Sequence, residues 1–225
     1  MILTSVILGL TLMTSAPQVQ PSKPTFFIFL VKGKNPPQAT QEEIGKYQMA
    51  HIENFKRLFN EGKLATAGPL ADPTEYKRGI IILTVASKSD IPPLFEPDPY
   101  VAKGFMEIQA LPLSIEFGKI NTEAIDPNGI EENRIVVFTA GAVNSDSASA
   151  RSARLRHLDH IRKDGIKSGL AFYASLQDSP DIRAVALFRG KKDKEILDWI
   201  KKDPLVKNGT LKATKMPQWL SKGAL

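Results

Sequence analysis

Four stretches of the chain are apolar almost without interruption: FFIFLV at Phe26–Val31, GIIILTV at Gly79–Val85, RIVVFTA at Arg134–Ala140 and RAVALF at Arg183–Phe188. A strand with one face in water alternates at period two, so unbroken apolar strands need cover on both faces. Apolar positions at Ile44, Tyr47, Phe55 and Leu58, with His51 in the same stripe, step by three and four. They predict a helix over Gln41–Asn60, closed by Gly62. Strands at Leu64–Ala67 and Gly79–Val85, a short helical segment between Ser89 and Asp98, and a strand at Phe105–Leu113 complete the first set. The second set is Ile135–Ala140, Ser149–Lys167, Leu170–Ser175, Arg183–Arg189, Lys194–Lys201 and Thr210–Met216. Each has the order strand, helix, strand, strand, helix, strand, the ferredoxin-like α+β plan.

The two sets are copies. His51, Leu64 and Asp72 recur 106 positions later as His157, Leu170 and Asp178. Asp98-Pro99-Tyr100-Val101, Gly104, Pro112 and Gly118 recur after 105 positions as Asp203-Pro204-Leu205-Val206, Gly209, Pro217 and Gly223. One residue is therefore lost in the turn near Arg78. The chain divides into an N-terminal segment 1–23, repeat one at 24–118, a linker at 119–133 containing Asp126-Pro127-Asn128-Gly129, and repeat two at 134–225. The simplest cover for the open sheet face of one repeat is that of the other. Two sheets packed face to face with helices outside make an intramolecular α+β barrel, a fused pseudo-dimer that functions as a monomer unless it assembles further.

Charge and composition sharpen this only a little. The net charge of +6 conceals an asymmetry: 12 Lys+Arg against 15 Asp+Glu up to Asn133, then 18 against 9. No aromatic residues interleave with the basic clusters, so the second half reads as a solvated basic surface and not as a nucleic-acid partner. The sheet faces that would stack RNA bases are expected to be buried. Ile2–Met13 is an apolar run ending at Thr14-Ser15-Ala16, too short for a comfortable membrane span. It reads as a signal peptide of an exported protein, periplasmic or secreted, cut between Ala16 and Lys23, or as a short N-terminal anchor, since no basic residue precedes it and Pro17 follows the natural cut. The chain has no cysteine, which excludes disulfides, thiolate metal sites and a cysteine nucleophile.

Two candidate residues stand out because both copies keep them. His51 and His157 lie at the same place on the first helix, where a sheltered imidazole can serve as general acid or base. A core histidine gives the same pattern. Asp98 and Asp203 close the second helix before a proline, which a local helix stop explains; as a histidine partner, each would orient the ring and stabilise its protonated form. His157 and His160 are three apart and could share a metal, but no third ligand is positioned, and Asn54 stands at the matching place in repeat one. No phosphate loop, dinucleotide fingerprint, nucleophile elbow or H-E-x-x-H is present, so the reading calls for neither cofactor nor metal.

Taken together, His51, Gly62, Leu64, Ala67-Gly68-Pro69 and Asp98-Pro99-Tyr100 with Gly104 resemble the YCII-related family. Repeat two follows the pattern through His157, Leu170, Asp203-Pro204 and Gly209, but has Ala174-Ser175 in place of Gly-Pro and Leu205 in place of the aromatic. The resemblance implies the dimeric α+β barrel fold and a His/Asp site. It suggests a cofactor-free lyase or isomerase acting on a small cyclic or aromatic compound, with a relative that dehydrochlorinates a hydroxyquinol and a similar barrel in muconolactone isomerase. His51 would be the base and Asp98 its partner, Gly68, Pro69 and Tyr100 would line the pocket, and repeat two, with the catalytic candidates His157 and Asp203, would be a degenerate or second site. The alternative is a non-catalytic module that binds a small ligand or partner in the same cleft.

Overall fold

The computed structural model describes residues 24–123 and 125–225. Repeat one contains β1 (Thr25–Lys32), α1 (Gln41–Asn60), β2 (Leu64–Pro69), β3 (Lys77–Thr84), α2 (Ile91–Leu94), α3 (Pro99–Ala102) and β4 (Met106–Gly118). Repeat two contains β5 (Asp126–Ala140), α4 (Ala148–Lys163), β6 (Leu170–Leu176), β7 (Ile182–Phe188), α5 (Asp193–Lys202), α6 (Pro204–Lys207) and β8 (Leu211–Lys222). The expected export segment and its cut between Ala16 and Lys23 lie outside the described residues.

All eight strands form one sheet in the order β2-β3-β1-β4-β6-β7-β5-β8. The four strands of each repeat keep the same internal order, and antiparallel pairing of β4 with β6 joins them, Leu113 opposite Leu176 and Ser114 opposite Ser175. At the other seam β2 meets β8, through a bridge between Leu70 and Gln218 and a bond from Ala71 N–H to Pro217 O of 3.0 Å. Gly68 makes this approach feasible: a Cβ there would collide with the Trp219 carbonyl. The sheet curls into a nearly closed barrel. The two half-sheets face each other as the apolar runs require, and their edges are joined as well.

Residues along each run alternate between two cores. Phe27, Phe29, Ile80, Ile82, Ile135, Val137, Val185 and Leu187 point into the barrel and form one cluster with Phe172, Met216 and Leu220 from neighbouring strands. Phe26, Ile28, Ile81 and Leu83 instead meet the helices of repeat one, and Val136, Phe138, Ala186 and Phe188 those of repeat two. Both faces are buried, at about 1.5–3 kcal/mol for each large side chain, and polar residues are therefore confined to the ends of these runs.

Three local readings needed correction. The presumed linker 119–133 is largely strand, because β5 begins at Asp126 and pairs with β8 as far as Lys222. β4 runs past the expected Leu113 to Gly118, because it crosses into the second half-sheet to pair with β6. α4 ends at Lys163, short of Lys167; the chain turns in at Gly165, where Ile161 O and the Leu170 side chain leave no room for a Cβ. In repeat one the expected helical segment between Ser89 and Asp98 is α2, kept short by prolines at 92, 93, 97 and 99 that withhold backbone donors, and α3 follows Asp98.

Candidate functional site

α1 positions His51. Thr40 caps the helix: its hydroxyl accepts from Glu43 N–H (3.2 Å), and Glu43 Oε2 accepts from Thr40 N–H (2.8 Å), a reciprocal cap worth about 1 kcal/mol. Leu58 is fully buried in the outer core, and Asn54 Nδ2 donates to Leu94 O at 3.1 Å, tying α1 to α2. His160 makes the equivalent tie in repeat two, with Nε2–H donating to Trp199 O at 2.9 Å and its ring stacked on the Trp199 indole at 5.2 Å. The paired histidines 157 and 160 are thus divided between two jobs. The described residues hold no group of three or more His, Asp or Glu placed to bind a metal.

In both repeats the histidine and aspartate meet. His51 Nδ1 donates to Asp98 Oδ2 at 2.6 Å, and His157 Nδ1 donates to Asp203 Oδ2 at 2.8 Å. The aspartates are completely buried. They are also helix caps, so the local and functional readings are both satisfied. Asp98 Oδ1 accepts from Tyr100 N–H (3.0 Å) at the start of α3. Asp203 Oδ1 accepts from Leu205 N–H (2.8 Å) and Val206 N–H (3.3 Å) at the start of α6. Because the cap fixes the carboxylate, the carboxylate fixes the imidazole. With Nδ1–H committed, a neutral ring leaves its lone pair on Nε2.

The repeats differ at Nε2. His51 Nε2 meets no hydrogen-bond partner among the described residues, and the side chain keeps 12% of its surface exposed. Phe55 and Tyr100 flank the ring at centroid distances of 4.3 and 5.3 Å. His157 is buried, and its Nε2 accepts from the Tyr173 hydroxyl at 2.8 Å. Tyr173 occupies the position that Ala67 holds in repeat one, since Ala67 pairs with Ile81 and Tyr173 with Ala186 in matching registers. Burial pushes the Tyr173 hydroxyl well above its ordinary range, with Glu116 and Asp203 adding to the shift and Arg154 opposing it.

Cavities follow the same division. One of about 580 Å³ is lined by His157, Tyr173, Glu116, Arg154, Ser175 and Leu205 among others. Another, of about 410 Å³, lies beside α1 and is walled by Ile52, Phe55, Phe59, Leu64 and Ala67; His51 is not part of its wall, though Phe55 is shared. Burial raises the Glu116 carboxyl above its usual range, against the pull of His157, Arg162 and Arg154, and Glu116 contacts the Ser175 hydroxyl.

The expected binding residues are placed otherwise. Gly68 serves the β2–β8 seam, Pro69 is exposed at the strand end, and neither lines the described cavities. Tyr100 is buried against His51, its hydroxyl reaching Gln48 Oε1 at 3.3 Å, and is a support for the imidazole ring. Glu116, Arg154 and Tyr173 were missed. Tyr173 sits at the 106-residue spacing from Ala67, which could have flagged it, but Glu116 comes from the other repeat through the β4–β6 register, which no local pattern announces.

Residues 26–112 match the model of the YCII-related domain. The first repeat is a YCII-related domain. Repeat two carries the same strand order and the same His/Asp pair outside the matched residues. A candidate monooxygenase of Fusobacterium nucleatum superposes with a TM-score of 0.54 at 8% identity, covering 92% of this chain and 98% of its own. A haem-binding protein of Thermus thermophilus superposes with a TM-score of 0.51 at 10% identity, covering 88% and 90%. At these identities the likeness concerns the fold, and it extends over both repeats. No curated protein matches the chain.

Proposed function

We propose that the YCII-related repeat is a cofactor-free proton-transfer site, with His51 as general base, acting as a lyase or isomerase on a small cyclic or aromatic compound. The observation that carries this reading is the 2.6 Å bond from His51 Nδ1 to buried Asp98, with Nε2 left unpartnered in a partly exposed ring. Asp98 holds the tautomer and stabilises the imidazolium formed when Nε2 takes a proton. Phe55, partly exposed, offers aromatic surface beside the base, and buried Tyr100 backs the ring. That a haem-binding protein shares the fold agrees with a small-molecule role. The test is a thermal-shift screen of small cyclic compounds followed by a rate assay on the hits. His51→Ala should lower the rate by about 10²–10⁴-fold without unfolding the chain. Equal rates for the two proteins would end the catalytic reading.

A second reading, a module that only binds a ligand, draws on the apolar cavity beside α1, whose walls exclude His51. It predicts ligand binding that His51→Ala leaves intact and no turnover. The protein is also proposed to be exported, on the strength of the Ile2–Met13 run. Mass spectrometry of protein released from the periplasm or medium should find a first residue between Ala16 and Lys23. Recovery only from the cytoplasm, starting at Met1, would refute export. Among the described residues no helix is long and apolar enough to cross a membrane.

A further inference from the structure

We infer that repeat two houses a second ligand site, built from both repeats, which binds a small phenol or enol through Tyr173 and relays its proton to His157. The relay follows from hydrogen-bond direction. Asp203 accepts the hydrogen bond from His157 Nδ1–H, so Nε2 of the neutral ring must accept, and the Tyr173 hydroxyl must donate to it. The Tyr173 oxygen is left with acceptor capacity in a residue that lines the 580 Å³ cavity. A ligand that completes the chain has to bring a donating hydroxyl. Its proton passes to Tyr173 Oη as the tyrosine's own proton passes to His157 Nε2. The products are a ligand oxyanion and an imidazolium held by Asp203; no electron is gained or lost.

The surroundings select the ligand further. Ala140, Leu158 and Leu205 give the cavity an apolar wall that suits a ring or a short carbon skeleton. Arg154 lies in the same wall on the exposed side of α4 and faces the new oxyanion as a counter-charge. The Thr210 hydroxyl, buried without a hydrogen-bond partner among the described residues, is a further polar group in that wall. Glu116 is the opposing charge: it disfavours a second anionic group on the ligand, so a monoanion fits and a dicarboxylate does not. An aliphatic alcohol is too weak an acid to yield its proton to imidazole, which leaves phenols and enols. The inference uses no feature of the His51 site.

4-Nitrophenol tests it, because its phenolate absorbs visible light and its phenol form does not. At a pH where the free probe is mostly phenol, adding wild-type protein should raise the phenolate band saturably. Tyr173→Phe, which keeps the ring, should abolish that gain and weaken binding about tenfold, the worth of one hydrogen bond to a charged group. Arg154→Gln, at an exposed position, should weaken binding by about three- to tenfold. Lys167→Gln, exposed and outside the cavity wall, should leave both signals unchanged. Absence of the band in wild type, its persistence in Tyr173→Phe, indifference to Arg154→Gln, or its loss in Lys167→Gln would each overturn the inference.

Discussion

The two repeats place the same dyad on the same fold, and the residue opposite Nε2 separates them. At position 67 the chain has alanine, and the imidazole of His51 opens toward solvent. At position 173 it has tyrosine, and the imidazole of His157 is sealed behind a hydroxyl. The sequence pattern suggested that repeat two had decayed, since it has lost Gly-Pro and the aromatic after Asp-Pro. The structure shows an alternative arrangement, with a tyrosine and a glutamate from the other repeat gathered around a larger cavity. Duplication thus kept the anchored aspartate, which the fold itself needs as a helix cap, and varied the group that stands between the histidine and its surroundings.

The largest effects should come from removing the shared element. Asp203→Ala strips an acceptor from two backbone N–H groups and His157 together, and should cost about 3 kcal/mol in a urea unfolding series. Asp98→Ala strips one N–H and a partly exposed histidine, and should cost about 2 kcal/mol. If Asp98→Ala proved the more destabilising, the two caps would not be related as described. A smaller effect, and a sharper one, comes from transplanting the difference. Ala67→Tyr has the cavity beside α1 to grow into and should place a hydroxyl against His51 Nε2. We expect the rate of the first site to fall by about tenfold as the base becomes hydrogen-bonded, while unfolding is little changed. An unaltered rate would mean that the group opposite Nε2 does not distinguish the repeats.

Much of this architecture was legible in the sequence because burial on both faces of a strand leaves a direct trace. Phe26–Val31 and Ile80–Leu83 could have no polar positions if Phe27 and Ile80 faced one core and Ile28 and Ile81 another. The dyads were legible because the copies diverge around them. The edges of the elements were less so. β5 begins inside a stretch whose Asp-Pro-Asn-Gly reads as a turn, and only the long pairing with β8 draws it into the sheet. Gly68 and Pro69 suggested a pocket, yet the glycine is required by a carbonyl on β8, about 150 residues away in the chain. The composition of the second site depended on the same kind of information: Glu116 reaches Ser175 from the register shift between Ile115 and Phe117 where β4 pairs with β6.

The central claim, that the histidines differ in access to Nε2, can be tested without a substrate. The chain has three histidines, so diethylpyrocarbonate acylation followed by peptide mass mapping resolves each one on the native protein. His51 should react on the order of tenfold faster than His157, whose Nε2 must first give up the Tyr173 bond, and faster than His160, whose ring nitrogens face Asp164 and the Trp199 carbonyl. Tyr173→Phe should bring His157 closer to His51 and leave His51 unchanged. Equal rates for His51 and His157 in the wild-type protein, or a faster His157, would contradict the account.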